Sequence, residues 1–368
     1  MNTAEKRATA ALWSIRGVGP VTLGEVRSRL GPLGELLERP VPEWAPLVPW
    51  RADAGAHVRE VASLAAQADR LEQQCARLGM EIVFPDDEAW PSKLAQIRNA
   101  PPLLFVRGPG ARAPRRSRLA IVGTRTPPPG TAQRAADLAV QVAQAGVGVV
   151  SGAAIGIDQA AHRGALTAQG ETWAFMGAAL DQIDSPQRAI VHEMLDAGQT
   201  LFSEFPPGFR SNLNSFKLRN RLIAGASDAV LIFRAGPTSG ALHTAADALE
   251  QGRVVLAAPG DPWVEAARGS NRLLRDQRVR PYVDFSDITA ALGLDQTISP
   301  PEPRVIDPSA ISTPGSAVLN VLNDGSCDFE ELLERLPDMN SGQLSAALLE
   351  LEVFGAVLHK GGRRYEKR

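Results

Sequence analysis

The chain has almost no cysteine. Two stand in 368 residues, Cys75 and Cys327, far apart and without a second Cys or a His close by. That excludes a disulfide framework and the paired spacing of a zinc site, and it points to a reducing compartment. Long apolar runs are also missing, since nothing approaches the roughly 18 uncharged residues of a membrane helix. The opening stretch MNTAEKRATAALWSI is too polar for a secretory signal. The expectation is a cytoplasmic protein with no membrane partner. Excess charge of either sign is absent: the formal net charge is −2, so any attraction for a polyanion has to be local. Aromatic residues make up only 5% of the chain, which leaves few positions for stacking on a base. A Walker lysine, a nucleophile elbow, an HExxH pair and a carboxylate cluster for metal are all lacking. No cofactor or metal is implied, and little remains on which to build a catalytic centre.

What is present divides into three regions. Up to about residue 80, apolar residues recur at helical spacing over Ala8 to Ile15, Val21 to Leu30 and His57 to Leu78, so the first region reads as helical. From Glu81 to about residue 295 the period changes. Short apolar runs at 103–106, 119–122, 147–150, 172–176, 200–202, 229–233 and 253–257 alternate with helical stretches. That alternation predicts an α/β domain, a Rossmann-like, doubly wound parallel sheet covered on both faces. Residues 296–314 contain a proline-rich stretch, ISPPEPRVIDPSAISTPG with its flanks, and read as a linker. Residues 315–368 show three helical patterns and a hairpin around Gly361-Gly362, the outline of a winged helix. The loop from Gly108 to Arg118, with Arg112, Arg115, Arg116 and Arg118, reads as a solvated surface loop.

The most informative segment is Phe216-Lys217-Leu218-Arg219-Asn220-Arg221, a basic island just ahead of an apolar strand. Three cations and an amide beside a sheet edge suit phosphate rather than an apolar ligand. Gly123-Thr124-Arg125 follows a strand, Ser151-Gly152 opens SGAAIGID after another, and Ser239-Gly240 through His243-Thr244 opens a helix. Each turn alone could be no more than a tight connection. Together they place open loops on the sheet edge where α/β folds bind ligands. Asp158 and His162, one helical turn apart, read as a capping Asp and a hydrogen-bonded His rather than a dyad. In the first region Gly17 and Gly19 sit in an Ile15-Arg-Gly-Val-Gly hairpin, which resembles a helix-hairpin-helix; a hairpin that only packs is the alternative. Lys360, Arg363, Arg364 and Lys367, in the last hairpin, are candidates for nonspecific phosphate contact.

Six motifs then occur in order: Gly123-Thr124-Arg125, SGAAIGIDQAAHRGAL, SEFPPG, FKLRNRLIAGAS, SGALHTAADAL and APGDP. The series resembles the DprA/Smf family, the DNA-processing proteins of bacterial natural transformation. The flanks fit as well, since that family often carries a helical domain before the core and a winged-helix-like domain after it. The resemblance implies a homodimeric, non-enzymatic protein that binds and protects single-stranded DNA and helps to load RecA onto it. By that resemblance Arg125 is the arginine of the family's Gly-Ser-Arg turn, with Thr124 for serine, and Arg219, Asn220 and Arg221 are its Arg-Asn-Arg. Three positions depart from the pattern. Lys217 stands where a proline is usual, Arg234 where an acidic residue is usual, and Ser185 where a tyrosine precedes Pro186. The competing readings are a Rossmann-like nucleotide phosphoribohydrolase, for which Arg234 removes the needed carboxylate, and a nucleotide sensor.

Overall fold

The structure, a computed structural model, describes residues 1–50, 52–112, 116–294, 311–323, 325–353, 356–360 and 364–367. Arg115, most of the proline-rich stretch, Gly361-Gly362 and Arg363 lie outside the described residues. So does the side chain of Lys360.

The first 80 residues form α1 (Thr3–Trp13), α2 (Pro20–Leu30), the short α3 (Val41–Trp44), α4 (Ala52–Arg59) and α5 (Leu64–Arg77). The helical pattern read over His57 to Leu78 is broken at 60–63. There the Ser63 side chain accepts the Ala66 N–H and starts α5 afresh.

A nine-stranded sheet follows among the described residues. Its strands are β1 (Glu81–Val83), β2 (Leu104–Arg107), β3 (Arg118–Gly123), β4 (Gly148–Ser151), β5 (Thr172–Phe175), β6 (Thr200–Ser203), β7 (Ala229–Arg234), β8 (Val254–Ala257) and β9 (Val279–Pro281). Their spatial order is β1-β2-β6-β5-β4-β3-β7-β8-β9. From β6 to β9 every neighbouring pair is parallel, whereas β2 runs antiparallel to both β6 and β1. The expected parallel sheet is therefore mostly parallel, with an antiparallel strand near one edge. β1 and β9 are three residues each, too short to show a sequence period.

The strands are linked by α6 (Thr131–Gln144), α7 (Ile157–Thr167), α8 (Arg188–Asp196), α9 (Leu213–Gly225) and α10 (Ala241–Glu250), with α11 (Glu265–Leu273) and α12 (Phe285–Leu292) near the end of the sheet. Side chains alternate across the pleat. Phe105 of β2 points into a cluster built with Leu12, Trp13 and the other N-terminal apolar residues, while Leu104 and Val106 join Leu222 and Ile223 of α9 on the opposite face. Leu119 and Ile121 of β3 pack instead against α6 and α7. The N-terminal helices and the sheet thus share one continuous apolar cluster. The indole N–H of Trp13 fixes α1 further by donating to the Glu204 carbonyl at 2.6 Å.

A second compact unit contains α13 (Thr313–Leu322), β10 (Cys327–Asp328), α14 (Phe329–Arg335), α15 (Ser341–Val353), β11 (Val357–Lys360) and β12 (Arg364–Lys367). Its three strands lie in the order β10-β12-β11, and Val318, Leu332, Leu344, Leu348 and Val357 form its core. No helix among the described residues is long and apolar enough to cross a membrane.

Candidate functional site

From β3 the chain steps to β4 on one side; from β7 it steps to β8 on the other. The two diverging strands leave a crevice beyond their C-terminal ends, which is where doubly wound sheets bind ligands. A cleft of about 740 Å³ occupies this position, with Gly123, Thr124 and Arg125 on one wall, Gly236 to Gly240 on another and α9 across the back.

Local chemistry shapes each wall. The Asn212 side chain accepts the N–H of Asn214 and of Ser215, and the Ser215 hydroxyl accepts the Asn212 N–H at 2.9 Å, a capping box that starts α9. Helical spacing then turns Leu213, Phe216, Lys217 and Asn220 toward the cleft. Gly123 admits no side chain, because a Cβ there would stand 2.7 Å from Ile157 and 2.8 Å from the Arg234 carbonyl. Gly156 adopts φ 91°, and a Cβ on it would meet the Thr124 carbonyl. These close approaches bring the β3 loop down onto the start of α7, where the Ile157 N–H donates to the Thr124 carbonyl at 3.2 Å.

Of the residues singled out in the sequence, Gly123, Thr124, Arg125, Lys217, Arg219, Asn220, Ser239, Gly240 and Thr244 line the cleft. Ser151, Gly152 and Arg221 do not. Ser151 is fully buried and its hydroxyl donates to the Ile121 carbonyl at 2.7 Å. The N–H of Gly152 donates to Asp158 at 3.2 Å, and those of Gly123 and Ala154 also turn to that carboxylate. The SGAAIGID turn thus directs its amides inward, toward a buried side chain.

The cations differ sharply in what they face. Arg219 is 3% exposed; its guanidinium donates to the carbonyls of Gly152, at 2.8 Å, and Phe175. Burial lowers it to about 10, and the Asp158 carboxylate opposes that shift. Arg221 is paired with the buried carboxylate of Glu204, whose own pKa is pushed up by burial. Asn220 holds α10 by donating to the Gly240 carbonyl at 3.2 Å. Lys217 and Arg125 are exposed, and neither pairs with a carboxylate among the described residues. The guanidinium carbon of Arg125 lies 5.3 Å from the centre of the Phe216 ring, within cation–π range. Phe205 and Phe209 stack on each other at 4.3 Å and do not line the cleft.

The remaining residues singled out in the sequence make contacts of their own, and of them Asp158 also lines the cleft. Asp158 and His162 share a helix face without pairing. The His162 Nδ1 bonds the Thr172 hydroxyl at 2.7 Å, and burial lowers the ring's pKa to about 3. The Arg234 side chain is half-buried and runs beside Gly260. Gly17, at φ 85°, is pressed against Ala54, and Gly19 is the N-cap of α2. In the second unit Arg364 donates to the Ser326 carbonyl at 2.7 Å and pairs with Glu331, while Lys367 donates to the Asn323 side chain.

The sequence assigned no role to Glu204, which lies within SEFPPG and pairs with Arg221, or to the His243 side chain, which lines the cleft from the first turn of α10. Its spacing from Gly240 is the signal that was available.

Fold and cleft define a doubly wound α/β protein with a basic, partly aromatic ligand cleft at its switch point. Residues 81–293 match the family described as DNA recombination-mediator protein A. Protein Smf of Synechocystis is 29% identical over 97% of this chain and 97% of its own length. The putative DNA processing protein DprA of Mycobacterium tuberculosis is 32% identical over 95% of this chain and 86% of its own, and Protein Smf of Escherichia coli is 36% identical over 75% and 74%. The crystal structure of DNA processing protein A from Streptococcus pneumoniae shares the fold, with a TM-score of 0.63 and 24% identity over 78% of this chain and 98% of that one. A Helicobacter pylori DNA processing protein A, described for its single-stranded DNA binding mode, superposes with a TM-score of 0.51 and 26% identity over 58% and 95%. The chain belongs to the DNA recombination-mediator protein A family, that of the DprA and Smf proteins.

Proposed function

We propose that the switch-point cleft binds single-stranded DNA, with Arg125 and Lys217 meeting phosphates and Phe216 offering a ring face to a base. One observation carries the reading: these two cations lack a carboxylate partner among the described residues, whereas the deeper Arg219 and Arg221 are compensated within the fold. Uncompensated cations beside an aromatic ring give affinity without sequence preference. Thr124, Ser239, Gly240 and Thr244 shape the walls; Ser151, Gly152, Arg219, Asn220 and Arg221 hold them in place. The strand-binding description of the Helicobacter pylori relative supports the same assignment.

In this reading the protein is a homodimeric, cytoplasmic mediator without catalytic activity that protects single strands during natural transformation and helps load RecA. Residues 1–80 form the helical domain, 81–295 the DNA-binding core, 296–314 the linker and 315–368 a winged-helix-like domain. The three helices and small sheet of the last region support the final assignment.

Oligonucleotides of increasing length, titrated at two salt concentrations, test the reading. Affinity that rises with length and falls with salt is expected. Tight binding of mononucleotides with no gain from length would instead identify a nucleotide sensor, and release of base from nucleoside monophosphates a phosphoribohydrolase.

A further inference from the structure

Trp263 is 85% exposed, while Trp13, Trp44, Trp90 and Trp173 are buried and Trp50 is half-buried. A large aromatic left in solvent forgoes the stabilisation its burial would give, so its position calls for a reason. It does not hang from a loose loop. Its backbone N–H donates to the Asp261 side chain at 2.9 Å, the Val264 N–H donates to the Asp261 carbonyl at 3.1 Å, and Gly260 and Asn271 are joined by two hydrogen bonds. The turn thus presents the indole from a fixed base at the start of α11.

Its surroundings are specific. Glu265 and Ala266, two and three residues on, line the cleft. Arg268 and Arg272 follow one turn apart on the exposed face of α11, and neither pairs with a carboxylate among the described residues. An exposed ring followed by two uncompensated guanidinium groups, at the rim of a basic cleft, is the composition of a single-strand path. We infer that Trp263, Arg268 and Arg272 form a second strand-contacting element, in which the indole stacks on a base and the arginines meet the adjoining phosphates. Glu265 and Ala266, which line the same cleft as Arg125 and Lys217, join the element to that site. A protein partner for the indole is the weaker choice, because the exposed apolar stretch is only Pro262-Trp263-Val264, with Asp261 and Glu265 at its ends and Arg268 and Arg272 beyond.

This inference rests on the strand-binding reading, and the experiment separates the two. Fluorescence of the full chain, excited at its tryptophans, is followed during titration with an unstructured oligonucleotide long enough to span the cleft and α11. Binding is followed in parallel by anisotropy of the labelled oligonucleotide. The exposed, red-shifted part of the emission is expected to be quenched on binding and to be missing in Trp263→Ala. That variant is expected to bind about ten-fold more weakly, with Trp263→Phe close to the parent. In Arg268→Ala/Arg272→Ala the salt slope is expected to fall by about 0.7 per arginine. If the parent binds but Trp263→Ala binds equally well, the second element is overturned and the cleft assignment stands; a change in oligomeric state with unchanged affinity overturns it in the same way. If the parent does not bind single strands at all, the function fails and the inference with it.

Discussion

Arg219 fills the space that a side chain at Gly152 would need. A Cβ on that glycine would stand 2.2 Å from the guanidinium Nη1, which itself donates to the Gly152 carbonyl. The basic island and the SGAAIGID turn are thereby locked to each other, with Arg219 as the brace.

Gly152→Ala is expected to destabilise the protein by roughly 1–3 kcal/mol through overpacking. Arg219→Met, which leaves the buried Asp158 without its compensating charge, is expected to cost about 3–5 kcal/mol. Urea midpoints at neutral pH measure both. A stable Arg219→Met protein that had lost only DNA affinity would restore Arg219 as a direct contact.

Arg125→Ala/Lys217→Ala should leave the urea-derived stability within about 0.5 kcal/mol of the parent, since exposed cations without a carboxylate partner contribute little to stability. Its single-strand affinity should drop at least ten-fold, and its salt slope should flatten by about 1.4, or 0.7 for each phosphate lost. Titrations at three salt concentrations give both quantities. An unchanged slope would remove these two residues from the site.

Arg221→Glu is expected to lose the fold rather than ligand alone, because it sets a second carboxylate against the buried Glu204. The loss is expected to exceed roughly 3 kcal/mol, and Arg221→Glu with Glu204→Arg should recover part of it. Thermal unfolding of the single and double variants decides the matter.

His162 predicts an acid-sensitive term. Burial keeps the ring neutral down to about pH 3 in the folded chain, whereas the unfolded ring takes up a proton near its ordinary value of 6.5. A depressed folded pKa gives stability that is complete above pH 6.5 and is lost as the pH falls toward 3. At pH 5 the loss from this residue is about 2 kcal/mol. The difference in urea-derived stability between parent and His162→Asn, measured from pH 7.5 to 5, isolates the contribution. Asp158 and Glu204, both shifted upward by burial, titrate in each protein and cancel. Parallel pH profiles would contradict the assignment.

Most of the sheet was legible because a buried parallel strand reads as a short apolar run between glycines, as at Leu119 to Val122. β1 and β9 were not, and neither was the antiparallel course of β2, because direction leaves no mark on composition. Residues 213–225 carry mixed polarity because α9 faces a cleft on one side and a core on the other, which blurred a helix that its Asn212–Ser215 cap does announce. The site was legible as a set of loops. Which cation faces outward was not, since that depends on distant carbonyls and carboxylates: Gly152 lies 67 positions from Arg219, and Glu204 17 from Arg221. Phe216 was one of three phenylalanines near the island, and only the fold separates it from the stacked Phe205 and Phe209.

The hydrogen bond from Trp13 to the Glu204 carbonyl bears on how deletion experiments are read. Glu204 is also the residue that neutralises Arg221, so α1 is fastened to the same short loop that supports the back wall of the cleft. A truncated chain that begins at residue 81 would strip Phe105, Ala174 and Leu201 of their cover and loosen that loop in one cut. Weak DNA binding by such a fragment would resemble the loss of a DNA-reading module. It would instead report a wall that had lost its outside support, and Trp13→Phe in the intact chain tells the two apart.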